Sequence, residues 1–562
     1  MRLVDQFQTL HAFMEKRGSQ PGLPALAGAL HTSERNARLL LRKMAERGWL
    51  HWEAARGRGN FSRLQMLASP QQLALDRLSD LLAQGELEEA FASLDGEQRQ
   101  LLSARLPDFL HVRSAGDSRN RLRIPLQRNV AGLDPYDAGA ILELHLVRQI
   151  FSTLTAFDKE TQRLVPALAH HWESENDGKV WHFWLRPGVR FHDGSELEPE
   201  DVRQTLLRMR DRKGHFQGLY RHLRSVEVGS GRRVTCHLGS TDFLWPHCLA
   251  SANASIIPRE RRSDFSSMPI GSGPFKLIRR SEYRLTLAAF DDYYRERALL
   301  DEIDLWVISQ AESTDEFDVH FGAAGVSSGT RNTMAQVLTG CAFIVCNATR
   351  PILRTAARRL ALANWLAPAV MIGSHNVSWQ PASGLLPTWD HRVAVPGRRP
   401  RIAGRTSLTM VTIGDNNKMA LANAIGDRLN AAQIELNVVS LTCDEFARKD
   451  WLDSADLVLC NEALEDDEDL GCYEWFSGEN MFRQWMPAGR QRIIDEQLQT
   501  IRAMADTADR MAQYAAIGRS IVQEGWAIPI AHDVRHVQIE SHVSGAREIP
   551  FGLVSFAELW LR

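Results

Sequence analysis

One stretch, residues 169–209 (AHHWESENDGKVWHFWLRPGVRFHDGSELEPEDVRQTLLRM), limits the possible folds more than any other. Trp172, Trp181, Phe183, Leu185, Val189 and Phe191 supply the apolar alternation of two strands. Asp177-Gly178 makes the hairpin turn between them, and Pro187-Gly188 and Asp193-Gly194 make two further bends. Pro199 stands where a helix opens, and Val202, Leu206 and Leu207 repeat at the spacing of its inner face. Strand, turn, strand and helix thus follow one another in short order. The chain has 562 residues, too many for one core, so this unit is part of a multidomain protein.

The amino-terminal end has a different character. Residues 1–67 hold eleven Lys/Arg against five Asp/Glu, a balance of +6 in a chain whose total is -3. A basic head on an acidic body points to a polyanion as the head's partner. Leu3, Phe7, Leu10 and Phe13 with Met14 have helix spacing over residues 3–16. Pro21-Gly22 breaks that helix, and residues 23–30 (LPALAGAL) form a second, small-sided one. Ser33 is placed to cap a third helix over 34–47, where Ala37, Leu40, Leu41 and Met44 make the buried stripe. Gly48 ends that helix in the left-handed position. Strands at 49–53 and 61–67 then flank a tip, residues 54–60 (AARGRGN). The order predicts a mainly α winged helix-turn-helix over 1–67 that binds double-stranded DNA. Ser33, Arg35, Asn36, Arg38, Arg42, Lys43, Arg56, Arg58 and Arg63 are the candidate contacts. Arg favours guanine edges, Asn favours adenine, and a Gly/Arg tip suits phosphates or the minor groove.

Residues 68–120 read as a helical connector, equally a packed linker and a dimerisation or relay element. The chain starts without a signal-like apolar run, and no later stretch reaches the length of a membrane helix. Its seven cysteines are scattered without a Cys-x-x-Cys pair, as expected of free thiols in a reducing cytosol. A cytoplasmic protein with no membrane partner, metal or cofactor follows. No phosphate loop, nucleophile elbow or His-Glu-x-x-His pair occurs, so an enzyme is not expected. His170, His171 and His192 read as folding residues rather than metal ligands, and the acid run Glu465 to Asp469 reads as a solvated loop.

Residues 169–209 closely resemble the signature of the peptide/nickel-type (family 5) extracellular solute-binding proteins. Three more motifs come in that family's order: QIFSTL at 149–154, PIGSGPF at 269–275, and FDDYY at 290–294 with LDEI at 300–303. AIPI at 527–530 with Val543-Ser544-Gly545 is similar to the family's return strand. Head and body together resemble the SgrR family of bacterial regulators. In the head the likeness rests on Ser33-Glu34-Arg35, RGWL at 47–50 and Gly57-Arg58-Gly59. The resemblance implies a two-lobed α/β body of the periplasmic-binding-protein-like type II class. Lobe one is expected at 121–308 with a return at 531–562, and lobe two at 309–530. A small-molecule effector, of a sugar or sugar-phosphate class, is expected between the lobes. Phe151 and Ser152 from lobe one and Asn461 and Glu462 from lobe two are the candidate contacts. The lobe-two Trp and Asp that hold a peptide's amino end in that family have no counterpart in CNEALEDD at 460–467, which argues against peptide. Two other readings stand beside the regulator. One is a cytoplasmic solute- or peptide-binding protein without specific DNA recognition. The other is an exported transport component, against which the missing signal segment counts. A homodimer is left open by the sequence.

Overall fold

The computed structural model describes residues 3–16, 21–53, 63–70, 73, 120–126, 128–214, 216–307, 317–321, 331–366, 368–372, 378–391, 406–414, 416–478, 480–549 and 553–562. The wing tip with Arg56 and Arg58, nearly all of the connector, and the glycine-rich run at 322–329 lie outside them. The chain divides into two compact units, one formed by its amino-terminal residues and one by Arg119–Val307 with Phe317–Arg562.

In the first unit three helices, Leu3–Glu15, Leu23–Ala29 and Glu34–Glu46, precede a hairpin of Leu50–Glu53 and Arg63–Met66. The strands are antiparallel, Leu50 opposite Met66 and Glu53 opposite Arg63. The helical stripe foreseen in the third helix is the one buried: Ala37, Leu40, Leu41 and Met44 join Phe7, Leu10, Leu26, Leu50 and Leu64 in one core. Each Leu, Phe or Met side chain among them contributes about 1.5–3 kcal/mol on leaving water. Arg47, expected inside the third helix, is instead its cap residue. Gly48 follows at φ +71°. Its N–H reaches the Ala45 carbonyl at 2.9 Å, and the Trp49 N–H reaches that of Met44 at 3.0 Å. This paired closure needs a left-handed residue, where any side chain is strained. It turns the chain directly into the hairpin.

The second unit opens with a four-stranded sheet in the order Phe275–Arg280, Arg284–Ala289, Glu302–Val307, Arg121–Leu126. The last two strands are parallel, Glu302 opposite Arg121. A second sheet holds the signature hairpin: Ala169–Glu175, Val180–Leu185, Arg233–Leu238 and Leu223–Val228, all antiparallel. Helix Pro199–Asp211 packs its Val202 and Leu206 into that sheet's core. The motifs taken as a family signature are explained by their mutual packing. Gly271 and Gly273 lie so close to the chain at 149–151 that a Cβ would meet the Ile150 carbonyl oxygen at 2.1 Å and the Gln149 carbonyl oxygen at 2.6 Å. The Gly273 N–H bonds the Ile150 carbonyl at 2.8 Å, and Ser152 Oγ donates to the Ser272 carbonyl at 2.9 Å. His192 spans both glycines: its Nδ1 accepts the Gly271 N–H at 3.3 Å and its Nε2 sits 3.1 Å from the Gly273 carbonyl. This fixes the neutral Nε2–H tautomer, and burial holds the imidazole at about 4.

Lobe two is built on a mixed sheet ordered Val319–Phe321, Ala527–Glu540, Gly340–Cys346, Leu457–Ala463, Thr406–Ile413, Ile434–Leu441. Thr406–Ile413 runs parallel to both of its neighbours. Separate apolar clusters cover its two faces, one around Phe343, Trp475 and Ile521, the other around Ile344, Ile425 and Ile530. Ala527–Glu540 is shared between lobes. Its first half pairs with Gly340–Cys346, and its second half pairs with Arg331–Val337. Ile528 and Ile530 sit in a lobe-two core, whereas Val537 and Ile539 sit with Leu122 and Ile124 in lobe one.

Candidate functional site

The exposed face of the third helix is the first candidate. Ser33 caps it by accepting the Asn36 N–H at 3.3 Å, and Asn36 Nδ2 donates to Thr32 Oγ1 at 2.8 Å. Arg35, Asn36, Arg38, Arg42 and Lys43 are all exposed. At about 100° per residue they share an arc of about 160°, opposite the buried stripe. Leu39 lies on the same arc and is 51 % exposed. The one acid on this face, Glu46, stands 3.6 Å from Arg42. Arg63 is exposed on the second strand of the hairpin. Arg47 lies over the Trp49 ring, 5.3 Å from its centroid, and so serves the corner between helix and hairpin.

The seam between the lobes is the second. Helix Ile141–Ile150 of lobe one ends at Phe151, whose ring lies in the lobe-one core 6.0 Å from that of Phe265. Ser152 is buried, and its hydroxyl is bonded within lobe one. Asn461 and Glu462 stand on strand Leu457–Ala463, opposite Ala342 and Cys341. As neighbours on a strand they project to opposite sides of the sheet. Burial pushes the Glu462 carboxyl up to about 7 against the pull of Lys418. Among the described residues no hydrogen bond, ion pair or ring contact joins the lobe-one pair to the lobe-two pair.

What does join the lobes is the acid run, and here the expectation of a solvated loop is corrected. Glu465 pairs with Arg148, Asp466 with Lys159 at 3.6 Å, and Asp467 with His247 Nδ1 at 2.6 Å. Asp469 turns inward and takes two hydrogen bonds, at 2.8 and 2.6 Å, from the fully buried Arg510. Asp467 also caps helix Glu468–Ser477 through the Leu470 N–H. Only about 20 Å³ is left between these groups, room for about one water. A second clasp lies nearby. The buried Asp242 of lobe one holds Arg502 of lobe two and accepts from His222 at 2.9 Å. Arg502 also stacks on the Tyr473 ring, 4.7 Å away, and its guanidinium holds the Asp242 carboxyl below the usual range against full burial. Arg148, Lys159, His247 and Arg502 were not foreseen. The acids were visible as a run, but their partners lie far off in sequence: 317 residues separate Arg148 from Glu465.

Comparison with known proteins identifies the architecture. The amino-terminal part matches the family model "Sugar transport-related sRNA regulator N-term" over residues 2–116. The model "Bacterial extracellular solute-binding proteins, family 5 Middle" matches residues 163–364. The HTH-type transcriptional regulator SgrR of Escherichia coli (strain K12) is 33 % identical over 473 residues, covering 82 % of this chain and 83 % of its own. The chain belongs to the SgrR family of transcriptional regulators. The SgrR of Salmonella typhimurium (strain LT2) is 32 % identical over the same shares. Solved structures show where this SgrR-family body takes its fold. A dipeptide binding protein from Pseudoalteromonas sp. SM9913, in complex with Met-Leu, matches with a TM-score of 0.68 at 18 % identity, over 79 % of this chain and 100 % of its own. The oligopeptide-binding protein AppA from Bacillus subtilis, in complex with a nonapeptide, gives 0.66 at 17 %, over 79 % and 99 %. The fold is therefore a winged-helix head on a family 5 binding-protein body. Among the described residues no helix is long and apolar enough to cross a membrane, and no group of three or more His, Cys, Asp or Glu could hold a metal ion.

Proposed function

We propose that this SgrR-family regulator binds operator DNA through the exposed face of Glu34–Glu46, under the control of a small molecule held between the body's lobes. The observation that carries it is the one-sided helix: Arg35, Asn36, Arg38, Arg42 and Lys43 face outward together while every apolar residue of the stripe faces the core. The first turn supplies Arg35 and Asn36 for base edges, and the rest supply phosphate contacts. Arg63 adds a contact from the hairpin, with Arg56 and Arg58 at its tip. In the body, effector bound near Phe151, Ser152, Asn461 and Glu462 would bias the lobes between open and closed, and residues 68–120 would carry that bias to the heads. The effector shifts this balance only by its difference in affinity for the two states. A sugar or sugar phosphate is the proposed class, the cytoplasm the proposed compartment, and the division at about 67, 120, 308 and 530 the proposed domain plan.

The test sequences DNA that co-purifies with the tagged protein from its own cells, beside an R35A/R38A variant. Discrete promoter peaks that vanish in the variant are expected. The lost Arg35 base contact alone costs about 1–3 kcal/mol, so affinity for a recovered site should fall by at least about fivefold to 150-fold. Affinity should also fall steeply with salt, through released counterions. Equal recovery from both proteins would leave a ligand-binding protein without operator recognition.

A further inference from the structure

Leu39 faces water from the middle of the basic face. Of the described large apolar residues in the three head helices it alone is exposed, at 51 %, while Leu40, Leu41 and Met44 beside it belong to the core. A single exposed leucine is ordinary on a protein surface. Its surroundings here are not. At about 100° per residue, Leu39 stands about 40° around the helix from Arg35 and Lys43 and about 60° from Asn36 and Arg42. All four are exposed, so three cations and an amide ring one apolar side chain.

Such a ring opposes an apolar protein partner, which would strip water from the cations without pairing them. A DNA major groove satisfies both parts. Its walls carry phosphates for the cations, and among the base edges on its floor the C5-methyl of thymine is the apolar group. Leu39 has neither donor nor acceptor, so neither a phosphate nor a hydrogen-bonding edge can engage it. The Cα–Cβ bond of a helical residue tilts toward the helix N-terminus. Leu39 therefore leans toward the turn of Arg35 and Asn36, the part of such a helix that meets base edges. It lies four residues from Arg35, about 6 Å along the axis, a span of about two base-pair steps.

We infer that Leu39 is a specificity-determining residue of the head and reads a thymine through its C5-methyl group. The inference rests on the operator-binding reading above and deepens it. Arg35 and Asn36 take hydrogen-bonding edges, and Leu39 takes the edge that offers a methyl.

Deoxyuridine supplies the test, because it keeps thymine's pairing edge and lacks only the methyl. Binding of the full chain is titrated by fluorescence anisotropy on a promoter fragment recovered with the wild type, each thymine being replaced singly by deoxyuridine. At one or two of these positions wild-type affinity should fall about fourfold, the worth of burying one methyl. L39A should bind the unmodified fragment at least about fourfold more weakly, and should lose nothing further at those positions. L39M, which still presents an apolar end, should keep the deoxyuridine effect. L39Q, of similar length but polar, should behave as L39A does and stands in for it if L39A fails to fold. The inference is overturned if no deoxyuridine change weakens wild-type binding, or if L39A and L39Q keep the wild-type sensitivity at the same thymines. A fragment lost by R35A/R38A but indifferent to deoxyuridine sinks this inference and spares the operator reading. Failure of the wild type to recover any discrete fragment sinks both.

Discussion

At the scale of single residues, His192 shows how much one side chain can hold. Both ring nitrogens serve backbone groups at Gly271 and Gly273, and the ring packs edge-on to Phe290 at 4.9 Å. H192L leaves those groups unpaired in a buried place and should cost about 2–4 kcal/mol. Its titration has a definite sign. The folded value of about 4 lies below the ordinary 6.5, so the unfolded chain takes up the proton first. Stability is therefore lost as pH falls from 6.5 toward 4, and H192L should show a shallower slope in melts across that window. Glu462 and Glu474 act in the opposite sense. Held at about 7 and about 8 by burial, they keep their protons in the fold to higher pH than in the unfolded chain. Their contribution is complete below 4.5 and disappears as pH rises through 7 to 8.

At the scale of elements, the third helix is held by its ends. Ser33 supplies the amino-terminal cap and Gly48 the left-handed closure. S33A should lower the head's stability by about 1 kcal/mol, and S33D should restore it. G48A should cost about 1 kcal/mol, since φ is +71° there. Both changes should move the thermal transition of the head. R35A and R38A, on the exposed face, should leave that transition within about 0.5 kcal/mol. This helix was almost wholly legible in the sequence, because cap, stripe and stop are all local signals along one short segment. The signature hairpin was legible for the same reason: Asp177 and Gly178 adopt φ of +55° and +73° at the foreseen turn.

At the scale of the molecule, the lobes are tied by charge. Asp242 and Arg502 are both buried. R502M leaves the Asp242 carboxylate with only His222 and the Leu244 N–H and should cost about 3–5 kcal/mol, read in denaturant melts of the body. Arg148 is more exposed, 32 % against 15 % for Glu465. R148A should cost only about 1 kcal/mol in stability. Its larger effect should be on closure: faster amide exchange in the segments 148–159 and 463–470, with unchanged exchange in the strands of either lobe. Equal exchange in wild type and variant would show that the clasp does not hold the lobes together.

The sequence by itself determined what depends on neighbours along the chain. The three head helices, the hairpin, the strands and helix of residues 169–209 and the outward basic face all follow from periodicity, caps and turn residues. Tertiary structure alone decided what depends on pairing across hundreds of residues. The run Glu465 to Asp469 has the composition of a loop in water, yet its acids pair with Arg148, Lys159 and His247 of lobe one. Arg148, Lys159 and His247 are isolated in sequence and carry no local mark. The strand Ala527–Glu540 reads as one element but serves two cores. Backbone propensity is a local quantity, whereas an ion pair or a shared strand is settled only once the lobes have folded against each other.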